Sequence, residues 1–339
     1  MRELVSGPAV LISDQGLARA GLADQVGDLI GAGQRLTFLE GEPSAAEVNR
    51  AAEVLRDAEV TVVGLGGGSA LDLAKLAASV SQGQLDVDAY GACARPLPPS
   101  LPTVLIPTTA GTGSEMTRTA VFADSQGRKT WAWGDELQAE HAVLDPELTL
   151  GLPRLATVLT AVDALSHALE AATAVNKTSL TYNLCQQAVA MIPEALEQTL
   201  ASPGDITARE QLLNASGLAG IALNSCGTGL AHALAHALGS LVKVPHGLAI
   251  AWSLRTTVRW NPAECYAGFD WLADGPAAAL ENWLDKLQLP PLPAFESAEL
   301  AAALRLPENV PMLENNARPV DPDEIEALSR DFQTNFGRG

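Results

Sequence analysis

The stretch GLAHALAHALGSLVKVPHGLA, residues 229–249, holds three of the chain's five histidines: His232, His236 and His246. A fourth, His167, lies in DALSHALEA, four positions after Asp163. No Pro or Gly interrupts LTAVDALSHALEAATAV, so this segment reads as a helix that projects Asp163 and His167 from one face. His232 and His236 repeat the i, i+4 spacing on a second helix, and His246 follows a break at KVP. One imidazole in an apolar helix is usually a core residue. Four of them with an aspartate, in a chain so sparing of histidine, point to a divalent metal. An Asp/His set without thiolates suits Fe(II), Zn(II), Mn(II) or Co(II). Spacing alone offers Asp163, His167, His232, His236 and His246 as ligands for one ion, and it does not say which is spare. His141 lies outside the pattern and reads as structural.

A second set of residues suits a phosphate. VTVVGLGGGSALDLAK places Gly66, Gly67, Gly68 and Ser69 between a β-branched run and a helical pattern. Glycines let backbone amides approach a phosphate closely, and the helix start beyond offers unpaired N–H groups and partial positive charge. The stretch is neither a G-x-G-x-x-G fingerprint nor a P-loop, because no Gly-Lys-Ser/Thr follows. The small-residue loop PTTAGTGSE, 107–115, also follows a strand pattern. Two such loops at the carboxyl ends of strands suit a dinucleotide. Asp14 closes the first strand-like run. Its carboxylate either accepts from an adenosine ribose and repels a 2′-phosphate, or caps the following helix.

The elements that position these residues fall into two textures. AVLIS and TVLIPTT read as buried strands, RLTFLE as a second strand and VTVVGLG as a β-branched run, and helical patterns separate them: LARAGLADQVGDLIGAG, then SAAEVNRAAEVLRDA with a Ser44/Glu47 capping box, then ALDLAKLAASV. This alternation predicts an α/β dinucleotide-binding domain over residues 1–150, a parallel sheet covered by helices on both faces. From DPELTLGLP onward Ala/Leu-rich helical patterns take over, so residues 151–339 are expected to form an all-α, metal- and substrate-binding domain.

Lys and Arg number 21 against 40 Asp and Glu, a net charge of −19 that disfavours nucleic acid and anionic membrane surfaces as partners. The four cysteines, Cys93, Cys185, Cys226 and Cys265, form no Cys-x-x-Cys pair, which fits a reducing, cytoplasmic setting. No stretch approaches the ~18 apolar residues that span a bilayer, and the apolar run at the N-terminus is short for a signal peptide.

With these segments in place, the sequence resembles the iron-containing, group III metal-dependent alcohol dehydrogenases. The resemblance is carried by GGGSALDLAK (66–75), PTTAGTGSE (107–115), LDPELT (144–149), DALSHALEA (163–171) and HALAHALGSLVKVPHG (232–247), with NNARPVDPDEIEAL (315–328) similar to the family's C-terminal signature. It implies a dehydroquinate synthase-like fold with the metal in a cleft between an α/β and a helical domain. By motif position it implies Asp163, His167, His232 and His246 as metal ligands and His236 as the proton-transfer residue. It assigns Gly67, Gly68, Ser69 and Asp72 to the pyrophosphate loop region, Thr108, Thr109 and Thr112 to the second cofactor loop, Lys129 to a cofactor contact and Asp14 to the ribose, favouring NAD over NADP. The implied activity is hydride transfer between a small metal-bound alcohol or aldehyde and the nicotinamide, with Fe(II), or Zn(II) or another divalent ion, in a homodimer. A maleylacetate reductase-like or glycerol dehydrogenase-like enzyme shares these motifs. A metal-dependent lyase or hydrolase shares only the Asp/His set and leaves both glycine loops idle. Two departures from the family stand out: about eight residues precede the first strand, and residues 265–312 look abbreviated. Trp131 and Trp133, beside Lys129, read as packing residues.

Overall fold

The computed structural model describes residues 2–5, 7–38 and 41–336; Leu39 and Glu40, the end of the strand expected at RLTFLE, lie outside the described residues. The chain separates into two compact units, Met1–Gly151 and Leu152–Gly339.

The first unit is built on parallel strands β1 (Ala9–Asp14), β2 (Gln34–Phe38), β3 (Thr61–Gly66) and β4 (Thr103–Pro107), and it also holds β5 (Thr119–Ala123), β6 (Lys129–Trp133) and β7 (His141–Ala142). The main sheet runs β2-β1-β3-β4-β7, all pairs parallel. Its helices are α1 (Gln15–Arg19), α2 (Leu22–Ile30), α3 (Ala45–Leu55) and α4 (Gly68–Val80). Strand side chains alternate between two cores. Val10, Ile12, Val62 and Leu105 pack with α3 and α4, while Leu11, Val63, Leu65, Val104 and Ile106 pack with Ala23, Val26 and Ile30 of α2. Burial on both faces explains why these strands read as unbroken apolar runs. The Ser44/Glu47 capping box opens α3 as expected.

The structure differs from the expectation in two places. The helix expected over residues 17–33 is two helices, because Gly21 sits at φ 76°, a left-handed conformation that ends α1 and starts α2. An antiparallel hairpin, β5 with β6, follows the second small-residue loop; its strands pair Thr119 with Trp133 and Ala123 with Lys129. Trp131 and Trp133 belong to β6, and Trp133, 47% exposed, lies under the Arg118 guanidinium.

The second unit consists of helices α5 (Arg154–Thr173), α6 (Ser179–Ala201), α7 (Ile206–Cys226), α8 (Leu230–Leu241), α9 (His246–Trp260), α10 (Pro276–Lys286), α11 (Ser297–Leu304), α12 (Val310–Glu314) and α13 (Ile325–Phe336). No strand occurs there among the described residues. One expectation is corrected: α5 is long and apolar enough to cross a membrane by length and composition, with 83% of its apolar window buried. It is buried nearly throughout because α6, α7 and α9 all pack against it.

Candidate metal centre and cofactor loops

Residues 163, 167 and 170 are spaced i, i+4, i+7 along α5, so Asp163, His167 and Glu170 share one face. Nothing in α5 breaks the register, and all three are buried. Ligand atoms of Asp163, His167 and His232 lie within 4.8 Å of one another. Asp163 Oδ1 is 3.8 Å from His167 Nε2, 3.7 Å from His232 Nε2 and 3.7 Å from His246 Nε2. These separations exceed hydrogen-bond length, and Oδ1 is fully buried with no hydrogen-bond partner among the described residues. A buried carboxylate oxygen without a donor is costly unless a cation serves it. Two ligands each ~2.1 Å from one tetrahedral ion stand about 3.4 Å apart, close to the spacing seen here. The donor set therefore fits one divalent ion.

The histidine rings form one group. His167 stacks on His232 with centroids 4.7 Å apart, and His246 and His236 approach His232 at 5.6 and 6.1 Å. His236 also lies 5.7 Å from His246. Thus α8 presents both of its histidines toward the cluster, and His246, the first residue of α9, reaches it from the break at Lys243–Pro245. His246 is the most exposed of the three histidines that meet at Asp163 Oδ1.

Glu170 is the residue that sequence reasoning did not single out. Its Oε2 pairs with His232 Nδ1, and its Oε1 accepts the backbone N–H groups of Gly229 and His232, each at 3.1 Å. Burial pushes its carboxyl up, and the His232 imidazole more than reverses this, holding it below the usual carboxylate range. The available signal was its place on the Asp163/His167 face. The partner that makes it informative is 62 residues away.

In the first unit the two small-residue loops meet at the carboxyl ends of the neighbouring strands β3 and β4. Gly66 has φ 150°, and a Cβ there would stand 2.5 Å from Ala70 Cβ, so the turn into α4 requires glycine. Gly67 is the N-cap of α4 and supplies no side-chain cap, which leaves the first amides of the helix open to an anion. A Cβ on Gly67 would lie 3.4 Å from Thr109 Cγ2, and one on Gly68 2.7 Å from Thr112 Cγ2. The loops are therefore packed against each other through Gly67, Gly68, Thr109 and Thr112, with half-buried Ser69 beside them. Thr108 is buried, and its N–H donates to the Gly66 carbonyl at 2.9 Å.

The remaining candidates have other partners in addition. Asp14 Oδ1 accepts the Leu17 N–H at 2.9 Å, capping α1, while Oδ2 faces Gly66. The Asp72 carboxylate accepts from Ser114 Oγ at 2.5 Å and Val121 N–H at 2.9 Å, and lies 3.4 Å from the Lys75 ammonium. It ties the second loop to α4. Lys75 is fully buried and donates to the carbonyls of Ser114, Thr117 and Thr119 at 2.9, 3.2 and 2.5 Å. Sequence reading passed over it. Lys129 pairs with Glu42 at 3.0 Å. A cavity of about 550 Å³ at the ends of β1 and β2 is lined by Gln15, Thr37, Phe38, Glu42 and Arg50, among others.

Residues 2–146 match the family model for iron-containing alcohol dehydrogenase, and residues 157–275 match the C-terminal model of the Fe-containing alcohol dehydrogenase family. The probable alcohol dehydrogenase EutG of Escherichia coli K12 is 41% identical over 231 residues, 68% of this chain and 58% of that protein. The sulfoacetaldehyde reductase of Bilophila wadsworthia is 34% identical over 268 residues, 77% of this chain and 69% of its own length. Among solved structures, sulfoacetaldehyde reductase from Bifidobacterium kashiwanohense in complex with NAD+ superposes with a TM-score of 0.87 at 26% identity, covering 96% of this chain and 91% of that one. The match to EutG thus spans somewhat less than two thirds of that relative, while the structural match covers nearly all of both chains. Two family models in chain order, and a donor set on the helices they cover, lead to one assignment: this chain belongs to the iron-containing alcohol dehydrogenase family.

Proposed function

We propose that the chain is a metal-dependent, NAD-linked alcohol dehydrogenase that also runs as an aldehyde reductase. The observation that carries this reading is Asp163 Oδ1, buried without a hydrogen-bond donor and faced by three imidazole Nε2 atoms at 3.7–3.8 Å. Asp163, His167, His232 and His246 would hold the ion, Fe(II) by family and Zn(II) or another divalent metal by donor chemistry. When bound, the ion supplies Lewis acidity toward an alcohol or carbonyl oxygen, lowering the pKa of the hydroxyl. The nicotinamide cofactor supplies or accepts the hydride.

The chain's own residues do the rest. Gly67 and Gly68 let the α4 amides approach the pyrophosphate, and Thr109 and Thr112 wall that approach from the second loop. Asp14 Oδ2 is left for the ribose once Oδ1 has capped α1, and a carboxylate there disfavours a 2′-phosphate. Ser69 lies with Gly67 and Gly68 in the pyrophosphate loop, Asp72 and Thr108 hold the two loops in register beside the cofactor, and Lys129 is the cofactor-contacting cation, drawn from its pair with Glu42. His236, half-buried with its ring against His232 and His246, holds or releases a proton at its imidazole on the way to solvent. The same reading includes small alcohols or aldehydes as substrates, a cytoplasmic homodimer, and a boundary near residue 150 between cofactor and metal functions.

The test is anaerobic reconstitution with Fe(II) or Zn(II), followed by a panel of primary alcohols and diols with NAD and NADP. Metal-dependent NADH formation with at least one of them is expected, together with quenching of tryptophan fluorescence by NADH. A protein that takes up neither metal nor NADH overturns the reading. Metal uptake without NADH binding would move it to a lyase or hydrolase.

A further inference from the structure

The C-terminal segment NNARPVDPDEIEAL is a family-like motif to which the reaction assigns no task. Asn315 Nδ2 donates to the carbonyls of Cys226 at 2.7 Å and Thr228 at 3.0 Å, tying off the turn between α7 and α8. Asn316, fully buried, donates to Asn261 Oδ1 at 2.6 Å and the Arg318 carbonyl at 2.8 Å. Asn261 in turn donates to the Tyr266 hydroxyl at 3.0 Å. Gly229 stands between this network and the metal centre. A Cβ there would lie 3.3 Å from Glu170 Oε1 and 3.4 Å from Asn316 Oδ1, so the main chain at 229 packs closely between the two side chains.

Glu170 acts on His232 in two ways. Its Oε1 accepts the N–H groups of Gly229 and His232, capping α8 from another helix where the N-cap Gly229 has no side chain to do so. Its Oε2 pairs with His232 Nδ1, which keeps the ring proton on Nδ1 and leaves the Nε2 lone pair facing Asp163.

We infer that Glu170 is a positioning residue for His232, and that Asn315 and Asn316 hold the 226–229 turn against Glu170, so that metal affinity is set in part from the C-terminal segment. This rests on the metal reading proposed above. The ligand helix α8 starts at that turn, and a shift of its first residues moves the His232 ring directly.

The experiment uses the full chain stripped of metal and titrated with Co(II) against a chelator, with the visible d–d absorption as a second readout. Glu170→Gln keeps an acceptor oxygen for the two amides but presents an NH2 group to His232 Nδ1, forcing the ring proton onto Nε2. Co(II) affinity should fall by about 10–100-fold with an altered d–d band, while the thermal midpoint of the metal-free protein stays near wild type. Asn315→Ala and Asn316→Asp, the latter keeping the volume without the Nδ2 donor, should lose up to about tenfold and shift the band the same way. His232→Ala is the control. A wild type that binds no Co(II), or a His232→Ala protein that binds it as tightly, overturns the metal reading and this inference with it. Binding abolished in His232→Ala but unchanged in Glu170→Gln overturns the inference alone, leaving Glu170 a helix cap. Unchanged affinity and spectrum in both folded asparagine variants overturns the C-terminal part.

Discussion

Glu115 should make the first unit less stable as pH rises through the near-neutral range. It closes the second small-residue loop, is 2% exposed, and its Oε1 has no hydrogen-bond partner among the described residues. Burial pushes its carboxyl up to about 7 from 4.5, with its own backbone N–H and Lys75 offsetting part of this and Asp72 adding to it. Lys75 offers little relief, because its ammonium is already taken by three carbonyls and Asp72. The folded pKa lies above the unfolded one, so between about pH 4.5 and 7 the folded chain binds the extra proton. Stability therefore falls as pH rises across that window and levels off above it. A shift from 4.5 to about 7, at ~1.36 kcal/mol per unit, amounts to about 3 kcal/mol at most. Glu115→Gln reproduces the shape of the neutral acid and removes the ionisation. Urea midpoints followed by circular dichroism should coincide for the two proteins near pH 4.5 and separate toward pH 8, with the variant the more stable. Parallel midpoints across that range, or a variant weaker at pH 8, would refute the reasoning and mean that the carboxylate is ionised and engaged.

Three further outcomes are expected. His232→Ala should lose the ion, whereas His236→Ala should keep metal content near wild type and lose about 10²-fold or more in rate with an altered pH profile; equal metal loss by elemental analysis would show the two roles are misassigned. Gly68→Ala should destabilise by about 1–3 kcal/mol and weaken NADH binding, since the new Cβ meets Thr112 at 2.7 Å, while Gly67→Ala, with its nearest contact at 3.4 Å, should unfold near the wild-type temperature. Asp14→Gly should raise NADP use relative to NAD at a cost of only a few tenths of a kcal/mol in cap energy, and a wild type that already prefers NADP tenfold would end the ribose assignment of Asp14.

Much of the site was legible before any coordinates, because its signals are local. The i, i+4 pairs Asp163/His167 and His232/His236 lie within single helices, the Ser44/Glu47 box within one turn, and the glycine loops between adjacent elements. The central strands β1, β3 and β4 announced themselves because both faces of the sheet are covered there, so most of their positions are apolar. The break at Gly21 was missed because one glycine in a helical pattern marks a turn only when the backbone adopts positive φ there. The β5–β6 hairpin escaped for a different reason: with one half-exposed face and Trp133 in solvent, it lacks the apolar continuity of the central strands.

Residue types and their spacing along the chain determined that an Asp/His metal set and a pair of phosphate-suited loops exist, and the family motifs ordered them. Only tertiary structure decided that Asp163 Oδ1 faces His167, His232 and His246 at once, that Glu170 holds the far nitrogen of His232, and that Asn315 ties off the turn where α8 begins. Periodicity fixes which side of a helix a residue occupies. Which residue from 59 or 87 positions away meets it depends on how the helices pack, and that is set by the summed burial of apolar faces rather than by any local pattern.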